Sequence, residues 1–284
     1  MIRREYLKLN YKPDYKNEII TTFYLESNLS LKEAAVKVAE ESSIGTWTRL
    51  TTLSSRIFKS LAARIFYLNK KKKLVKIAYP LALFEKGSIP QLLSSIGGNI
   101  FSMKDIKNLR LLDVEFPKKY ITSFPGPRWG IEGVRKILGI YDRPLIGCII
   151  KPKLGLTSVQ NAWLAYGVFK NGVDLIKDDE NLTDLSFNKF SQRVKKVLSL
   201  KRKVENQTGQ KKIYVFNVTG PADIMLRRAK LVKKMGARCV MVDIIACGWS
   251  GVQYLRNQNL GLIIHGHRAG HAAFTRNKKH GISM

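Results

Sequence analysis

Cysteine and long apolar runs are both scarce in this sequence of 284 residues, and each scarcity argues against a class of protein. The three cysteines, Cys148, Cys239 and Cys247, are odd in number and lack a paired metal-ligand spacing, which disfavours a disulfide framework. No run of about 18 apolar residues is present to cross a bilayer. The first residues, MIRREYLKLN, also lack the apolar segment of a secretory signal. We therefore expect a soluble, cytoplasmic protein with no membrane partner.

Acidic residues are also few, since 21 Asp and Glu stand against 50 Lys and Arg and the formal net charge is +29. Such a charge attracts polyanions. The basic residues are scattered, however, and only Lys70 to Lys73 form a run, between two apolar segments that favour a hairpin turn. Because no recognition motif accompanies the charge, we do not expect nucleic acid to be the main partner.

The first part of the chain mixes strand and helix patterns, which is typical of an α+β domain. NEIITTFYLE predicts a strand, and Ser30 and Glu33 in the following SLKEAAVKVAEES form a capping box at the start of a helix. LAARIFYL and LVKIAYPLALF predict a hairpin around the lysine run. Proline and glycine cluster in FPGPRWGIEGVRKILGIYDRPL, so we predict one domain at residues 1–122 and a second at residues 123–284.

In the second domain, short apolar strands alternate with amphipathic helices, which predicts right-handed parallel βαβ units. The predicted strands are LIGCII, VDLIK, KIYVFNV, CVMVDII and GLIIHG. This alternation fits a doubly wound sheet or a barrel. Polar residues follow each strand at its carboxyl end, so we favour an α/β (TIM-type) barrel of which about five of eight βα units are present. Five strands cannot close such a barrel, and we expect either a fragment or a separate chain that supplies the remaining strands.

The stretch VDLIKDDENLTD, residues 173–184, places a lysine and several acids directly after a predicted strand. Asp184 fits the cap of the helix that follows. Lys177 and Asp179 share one strand face by period two, and Glu180 can turn inward where the strand ends. Two carboxylates and a neutral amine would make a hard-cation site of only moderate strength. Addition of CO2 to Lys177 would give a third anionic oxygen ligand, a set that suits Mg²⁺.

The segment KPKLG, residues 151–155, places two more lysines after the preceding apolar strand. Lys151 and Lys153 are two residues apart on one face of a strand end, and Pro152 is expected to hold the backbone extended. Their like charges would help to keep Lys177 neutral enough to react with CO2. Surface lysines in a lysine-rich chain are the simpler alternative, but the preceding GCII is wholly apolar.

All four histidines lie in the last 20 residues, within HGHRAGHAAFTRNKKH. His265 and His267 can face the same side of a strand, so a zinc hydrolase that pairs HxH with a modified lysine is an alternative. In such barrels the HxH pair usually precedes the lysine, whereas the order here is reversed. Arg268 is better suited to clamp a phosphate or carboxylate than to neighbour a metal ion.

Together these motifs resemble those of one family, the large chain of ribulose-1,5-bisphosphate carboxylase/oxygenase (RuBisCO). The matching stretches are ESSIGTWT (41–48), GCIIKPKLGL (147–156), GVDLIKDDEN (172–181) and HGHRAGHAAFTRNKKHGISM (265–284). The likeness extends over nearly the whole chain and is most similar to archaeal form III enzymes. It implies an amino-terminal α+β (ferredoxin-like) domain followed by the catalytic barrel.

The resemblance implies a metal site and a proton-transfer site. Lys177, as a carbamate, matches a magnesium ligand of the family, and Asp179 and Glu180 match the other two, so the implied cofactors are Mg²⁺ and CO2. Lys151 matches the lysine that handles protons at the reacting carbons, and Lys153 matches the lysine that supports it.

Further matches imply substrate binding and an oligomer. His267 matches a histidine at the substrate hydroxyls, Arg268 matches a phosphate clamp, and His271 matches a further active-site histidine. In the family, each subunit of a dimer contributes residues to the neighbouring active site, and these residues match Glu41, Thr46, Trp47 and Asn99. We therefore expect a homodimer or a higher homo-oligomer.

The implied activity is carboxylation of ribulose 1,5-bisphosphate through its enediolate to two 3-phosphoglycerates, with O2 as a competing substrate. The family's flexible lysine loop and second phosphate site have no counterpart before Met284, so we expect this chain to hold the metal site and part of the substrate site. Two alternatives stay open: a RuBisCO-like enolase or isomerase acting on a related phosphosugar, and a catalytically incomplete fragment.

Overall fold

The computed structural model describes residues 4–45 and 52–283, which fall into two compact units. The first unit contains the residues up to Phe124 together with those from His271 onward, and the second unit is Pro125–Gly270. Among the described residues, no helix is both long and apolar enough to cross a membrane.

The strands and α-helices of the described residues are numbered separately in chain order. The strands are β1 (Glu18–Ser27), β2 (Arg64–Asn69), β3 (Leu74–Pro80), β4 (Ile106–Glu115), β5 (Gly147–Ile149), β6 (Leu175–Lys177), β7 (Ile213–Asn217), β8 (Cys239–Asp243), β9 (Ile263–His267) and β10 (Gly281–Ile282). The helices are α1 (Leu31–Glu41), α2 (Ser55–Leu61), α3 (Ile89–Ile96), α4 (Lys118–Ile121), α5 (Gly130–Leu138), α6 (Ser158–Lys170), α7 (Phe190–Thr208), α8 (Ala222–Lys234), α9 (Ile244–Asn257) and α10 (Ala272–Thr275).

The first unit is built on a sheet with the strand order β10-β4-β1-β3-β2. β1 pairs antiparallel with both β3 and β4, and β2 and β3 form the predicted hairpin around the lysine run. Helix α1 begins as predicted, because Ser30 Oγ accepts a hydrogen bond from Glu33 N and the Glu33 carboxylate accepts one from Ser30 N. The α+β prediction for this part of the chain is therefore confirmed.

Residues 271–283 lie against the edge of this first sheet, where β10 pairs in parallel with β4. The largely buried Arg110 of β4 donates hydrogen bonds to the Thr275 carbonyl at 3.2 Å and to Ser283 Oγ at 3.1 Å. The sequence assigned the whole of residues 123–284 to the second domain, whereas the compact units group the last residues with the first sheet. The predicted domain limits themselves stay a prediction.

The second unit is an α/β unit whose sheet is parallel, with the strand order β5-β6-β7-β8-β9. Each of the five predicted strands is present, and helices alternate with them along the chain as predicted. Asp184 Oδ1 accepts a hydrogen bond at 2.8 Å from the backbone N of Phe190, the first residue of α7, so Asp184 binds the helix terminus as expected, although the N-cap residue itself is Lys189. The parallel α/β prediction is thus confirmed, and the barrel stays a proposal.

Alternate residues of these strands face opposite sides of the parallel sheet. On one side, Ile176, Phe216 and Val240 belong to a core that includes residues of α6, α7 and α8. On the other side, Val215 and Met241 pack with residues of α5 in a second cluster. The polar residues that lie on this second side by the period of two are Lys177, Asn217, Asp243, His265 and His267. The strand register therefore places these polar side chains on one side of the sheet, near the carboxyl ends of its strands.

Candidate active site

The acidic loop after β6 directs its carboxylates to different partners. Lys177 ends β6, and its Nζ donates a hydrogen bond to the Asp178 carbonyl at 3.2 Å. Asp178 and Asp179 are buried, while 35% of the Glu180 side chain is exposed. Asp178 binds partners on the helix-covered side, whereas Asp179 and Glu180 face Lys151 and His267. One aspartate of the KDDE motif is therefore structural, and the other two acids are available for chemistry.

Asp178 anchors the loop through a fully buried ion pair. Its Oδ2 lies 3.2 Å from Nε of Arg193 in α7, and both side chains are 0% exposed. The Tyr214 hydroxyl donates to Asp178 Oδ1 at 2.7 Å, and Asn217 N donates to Oδ2 at 3.0 Å. A buried carboxylate needs such partners, because loss of hydration penalises its charge. Burial, together with the Asp178 charge, raises the pKa of Tyr214 well above its usual value, so the hydroxyl keeps the proton that it donates.

Arg193 also fixes the segment that follows the acidic residues. Its Nη2 donates to the carbonyls of Leu182 at 3.3 Å and Thr183 at 2.7 Å, and its Nη1 donates to the Asn188 carbonyl at 3.1 Å. A lysine could not form this set, because only a guanidinium presents several donors in one rigid plane. One side chain of α7 therefore ties the loop after β6 to the helix layer.

Asn217, at the end of β7, holds the backbone of the two acids that face the site. This fully buried residue donates from Nδ2 to the carbonyls of Asp179 at 3.2 Å and Glu180 at 2.8 Å. Its Oδ1 accepts a hydrogen bond from Thr219 N at 3.0 Å. The sequence indicated Asn217 only as a polar residue at a strand end, and did not indicate any special role for Arg193.

Lys151 and Asp179 form an ion pair at the predicted site. Lys151 Nζ lies 2.6 Å from Asp179 Oδ2, with the lysine side chain 62% exposed and the aspartate 2% exposed. The hydrogen bond with Asp179 raises the pKa of Lys151. Burial by itself would raise the pKa of Asp179, but hydrogen bonds from Lys151 and Asn181 outweigh it and lower that pKa to about 2. Both partners are therefore charged at neutral pH.

Lys153 lies beyond β5 in a bent segment, residues 151–155, so the extended backbone predicted around Pro152 is wrong. Lys153 and Pro152 border the same narrow cleft as Asp178 and Asp179. The second lysine of the motif is thus near the acidic loop, while the direct ion pair belongs to the first lysine.

His267, the last residue of β9, lies between two acids. Its Nδ1 is 3.0 Å from Asp243 Oδ1, and its Nε2 is 4.0 Å from Glu180 Oε2. The Asp243 oxygen is buried and has no well-aligned hydrogen-bond donor among the described residues. Ala269 N also approaches His267 Nδ1, at 3.4 Å. Burial raises the pKa of Asp243, although His267 acts in the opposite direction.

The remaining predicted residues at the end of the chain differ in their surroundings. His265 is exposed as a residue, yet desolvation of its ring, followed by the charges of Lys177 and His267, lowers the pKa of His265. Arg268 is exposed, and no hydrogen bond joins it to the described residues of this site. His271 belongs to the first compact unit, where its Nδ1 lies 2.9 Å from Thr275 Oγ1. Among the described residues of the second unit, Arg268 is therefore not hydrogen-bonded to the cluster around Asp179, and His271 is described only within its own unit.

Two of the predicted amino-terminal residues contact each other within the first unit. Asn99 Nδ2 donates to Glu41 Oε1 at 2.6 Å, and both residues line a cavity of about 460 Å³. Thr46 and Trp47 lie outside the described residues.

The donor set fits a hard cation if Lys177 supplies an anionic oxygen. Among the described residues, no three His, Cys, Asp or Glu side chains are grouped to hold a metal ion. Asp179 and Glu180 provide two carboxylates, and the Lys151 ammonium is a positive charge already bound to Asp179. A carbamate on Lys177 would be the third oxygen donor and would suit Mg²⁺.

Two segments of the sequence match the two domains of one protein family. Residues 5–120 match "Ribulose bisphosphate carboxylase large chain, N-terminal domain", and residues 130–284 match "Ribulose bisphosphate carboxylase large chain, catalytic domain". A curated ribulose bisphosphate carboxylase from Pyrococcus abyssi is 49% identical over 285 residues, covering 99% of this chain and 67% of that protein. The corresponding protein of Methanosarcina mazei is 46% identical over 288 residues, covering 100% of this chain and 67% of that protein.

Solved structures agree with these sequence comparisons. An octameric RuBisCO from Pyrococcus horikoshii OT3 has a TM-score of 0.94 and 47% identity, with 99% of this chain and 67% of that chain covered. A dimeric archaeal RuBisCO from Hyperthermus butylicus has a TM-score of 0.94 and 45% identity, with 100% and 68% covered. The present chain therefore spans about two thirds of the length of the relatives that it matches.

Proposed function

This chain belongs to the RuBisCO large-chain family, and we propose that it provides the metal-binding part of a ribulose 1,5-bisphosphate carboxylase active site. The expected family and the carboxylase identity of its relatives are confirmed. The observation that most directly supports the proposal is the pairing of Lys151 with Asp179 at 2.6 Å, beside Glu180 and at the end of the strand that bears Lys177. The sequence predicted these acids and lysines for one site, but not the ion pair between Lys151 and Asp179.

We propose that Asp179, Glu180 and the carbamate of Lys177 hold Mg²⁺. When bound, the ion would stabilise negative charge that develops on neighbouring substrate oxygens. The chain's own contribution is to fix the ligands: Asn217 holds the carbonyls of Asp179 and Glu180, and Asp178 anchors the loop to Arg193. Ligands held in this way need little reorganisation when the substrate binds.

Proton transfer is assigned to groups that already face the acids. Lys151 keeps its proton near Asp179 and can deliver it to a carbon or oxygen of the substrate. His267 presents Nε2 on the side of Glu180, where it can bind a substrate hydroxyl. Arg268 is exposed and free to clamp a phosphate, and Lys153 is proposed to support Lys151 electrostatically.

Assembly is proposed from the relatives. Their solved structures are octameric and dimeric, so we propose a homodimer or higher homo-oligomer. In this assembly each subunit contributes Glu41, Thr46, Trp47 and Asn99 to the active site of its neighbour. We further propose that the five parallel strands form an arc of a TIM-type barrel. In this proposal a separate chain supplies further strands to the edges of the arc, β5 and β9.

The test is incorporation of labelled CO2 into acid-stable product, with Mg²⁺ and ribulose 1,5-bisphosphate, by the chain alone and by the chain together with a polypeptide that completes its barrel. Incorporation by the completed barrel should be abolished by Lys177→Met and left intact by Lys170→Met, a change at the exposed end of α6. Conversion of the sugar phosphate without labelled product would instead indicate an enolase or isomerase. If neither occurs, binding of a non-reactive bisphosphate analogue, measured by calorimetry, distinguishes a substrate site from an incomplete fragment.

A further inference from the structure

Much of the positive charge that the active site does not use is concentrated in one helical layer of the second unit. Residues 189–238 contain fifteen lysines and arginines but only two carboxylates, a local net charge of +13. Both carboxylates are already engaged, because Glu205 pairs with Lys201 at 2.8 Å and Asp223 pairs with Arg227 at 3.3 Å. Apart from the buried Arg193, which pairs with Asp178, the other cations of this segment form no further ion pair among the described residues.

The exposed cations lie on the outward stripes of α7 and α8. Both helices pack on the same side of the parallel sheet, so their outer stripes face the same direction. On α7 the exposed basic residues recur after seven residues, which is two helical turns, and on α8 they recur after three and four; in both helices they lie opposite the buried stripe. They are Lys195, Lys196, Arg202 and Lys203 on α7, and Lys230, Lys233 and Lys234 on α8. Among the described residues, no carboxylate forms an ion pair with any of these seven.

An aromatic pair borders this basic stripe. Trp163 of α6 is 53% exposed, and its ring lies edge-on to Tyr166 with the ring centres 5.5 Å apart. Lys203 Nζ lies 5.6 Å from the centre of the Tyr166 ring, and the Tyr166 hydroxyl donates to Gln207 Oε1 at 3.0 Å. The Tyr166 ring is thus held against α7, and the neighbouring indole is left open to solvent beside the lysines.

We propose that this outer surface of α6, α7 and α8, which we call the basic helical face, binds single-stranded nucleic acid. Its lysines and arginines would contact phosphates, and Trp163 would stack on an unpaired base. A second copy of the chain is a poor occupant, because two such faces would repel each other. The sugar bisphosphate is excluded as occupant as well, since Lys177 lies on the opposite side of the sheet from these helices. The face adds a ligand to the proposed carboxylase and does not depend on that activity.

The experiment measures binding of a labelled oligouridylate of about 16 nucleotides to the full chain by fluorescence anisotropy. The charge-reversal pair Lys196→Glu and Lys203→Glu is compared with a control pair, Lys70→Glu and Lys71→Glu, in the exposed turn between β2 and β3. Each pair lowers the net charge by the same amount. Loss of two phosphate contacts should weaken binding about 20-fold at about 0.1 M salt, whereas the control pair should weaken it less than about threefold.

A second arm tests the aromatic part of the face. Trp163→Ala should weaken binding about 10-fold without changing the salt dependence, and Trp163→Phe should restore most of the loss, because stacking needs a ring and not a charge. Thermal unfolding of each variant shows that its fold is retained. Equal weakening by both lysine pairs would mean that the overall charge binds the oligonucleotide and would overturn the proposal. So would absence of binding, or a preference for anionic phospholipid vesicles over the oligonucleotide.

Discussion

Two arginine–aspartate pairs in the second unit have nearly the same length and opposite burial, which permits a matched test of what anchors the acidic loop. Arg193 and Asp178 are 3.2 Å apart and both fully buried, whereas Arg227 and Asp223 are 3.3 Å apart with side chains 70% and 72% exposed. The same substitution, arginine to methionine, can be made in both pairs.

The expected costs differ by several kcal/mol. Arg193→Met leaves the Asp178 charge buried without its counter-charge and removes the donors of three loop carbonyls, so it should lower the free energy of unfolding by about 3–5 kcal/mol. Arg227→Met removes an exposed pair within one helix and should cost about 0.5 kcal/mol or less. The double variant Arg193→Met/Asp178→Asn should lose less free energy of unfolding than the two single variants lose together. The difference should be about 2 kcal/mol or more, because neither side chain of the pair is then charged.

The assay is native-state hydrogen exchange of the metal-free chain, supported by urea unfolding. The backbone amide of Asn217 is the best probe, because it donates directly to Asp178 Oδ2 and reports on the second unit alone. Equal effects of the two methionine variants, or a loss below about 1 kcal/mol in Arg193→Met, would refute the idea that the buried pair anchors the loop. Strict additivity in the double variant would refute it as well.

Three further predictions concern the site itself. Asn217→Ala should leave two carbonyls and one N–H unpaired and weaken Mg²⁺ binding by about 10-fold or more. Calorimetry with CO2 present measures this binding, and the control Asn206→Ala, on the exposed side of α7, should leave it unchanged. Lys151→Met should raise the pKa of Asp179 from about 2, since burial then acts with less opposition. In the unmodified chain the Asp179 carboxylate stabilises the fold above its unfolded pKa near 3.8, and this contribution is lost as the pH falls toward 2. A carbon NMR titration of the metal-free chain measures the pKa in both proteins. His265 should titrate below its usual pKa near 6.5, so its neutral form contributes stability that is complete above about pH 6.5 and is lost on acidification. Lys177→Met should raise the pKa of His265, and an unchanged pKa in proton NMR would contradict the placement of Lys177.

Local patterns in the sequence predicted a large part of the fold. The capping box of Ser30 and Glu33, the hairpin around the lysine run and the five parallel strands depend on short-range signals, and the structure confirms each of them. The sequence placed Lys151 near the acidic loop, because parallel strands that are neighbours bring their carboxyl ends together, but it did not predict the ion pair of Lys151 with Asp179.

The partners of the acidic loop could not be predicted in this way. Arg193 is one of many basic residues on amphipathic helices, and only the packing of α7 on the sheet makes it a buried partner of Asp178. The pairing of β10 with β4 is likewise a contact between segments far apart in sequence, with no local pattern to indicate it. Asn217 did have a signal, its position at the carboxyl end of a central strand, but the two carbonyls that it binds follow only from the fold.

The most direct test of the account is whether the side chain of residue 177 becomes a carbamate. Carbon NMR of the chain equilibrated with ¹³C-labelled CO2 and Mg²⁺ should show one stoichiometric carbamate signal, absent from Lys177→Met and retained in Lys170→Met. A signal that persists in Lys177→Met, or no signal in the unmodified chain, would contradict the assignment of Lys177, Asp179 and Glu180 as a magnesium site.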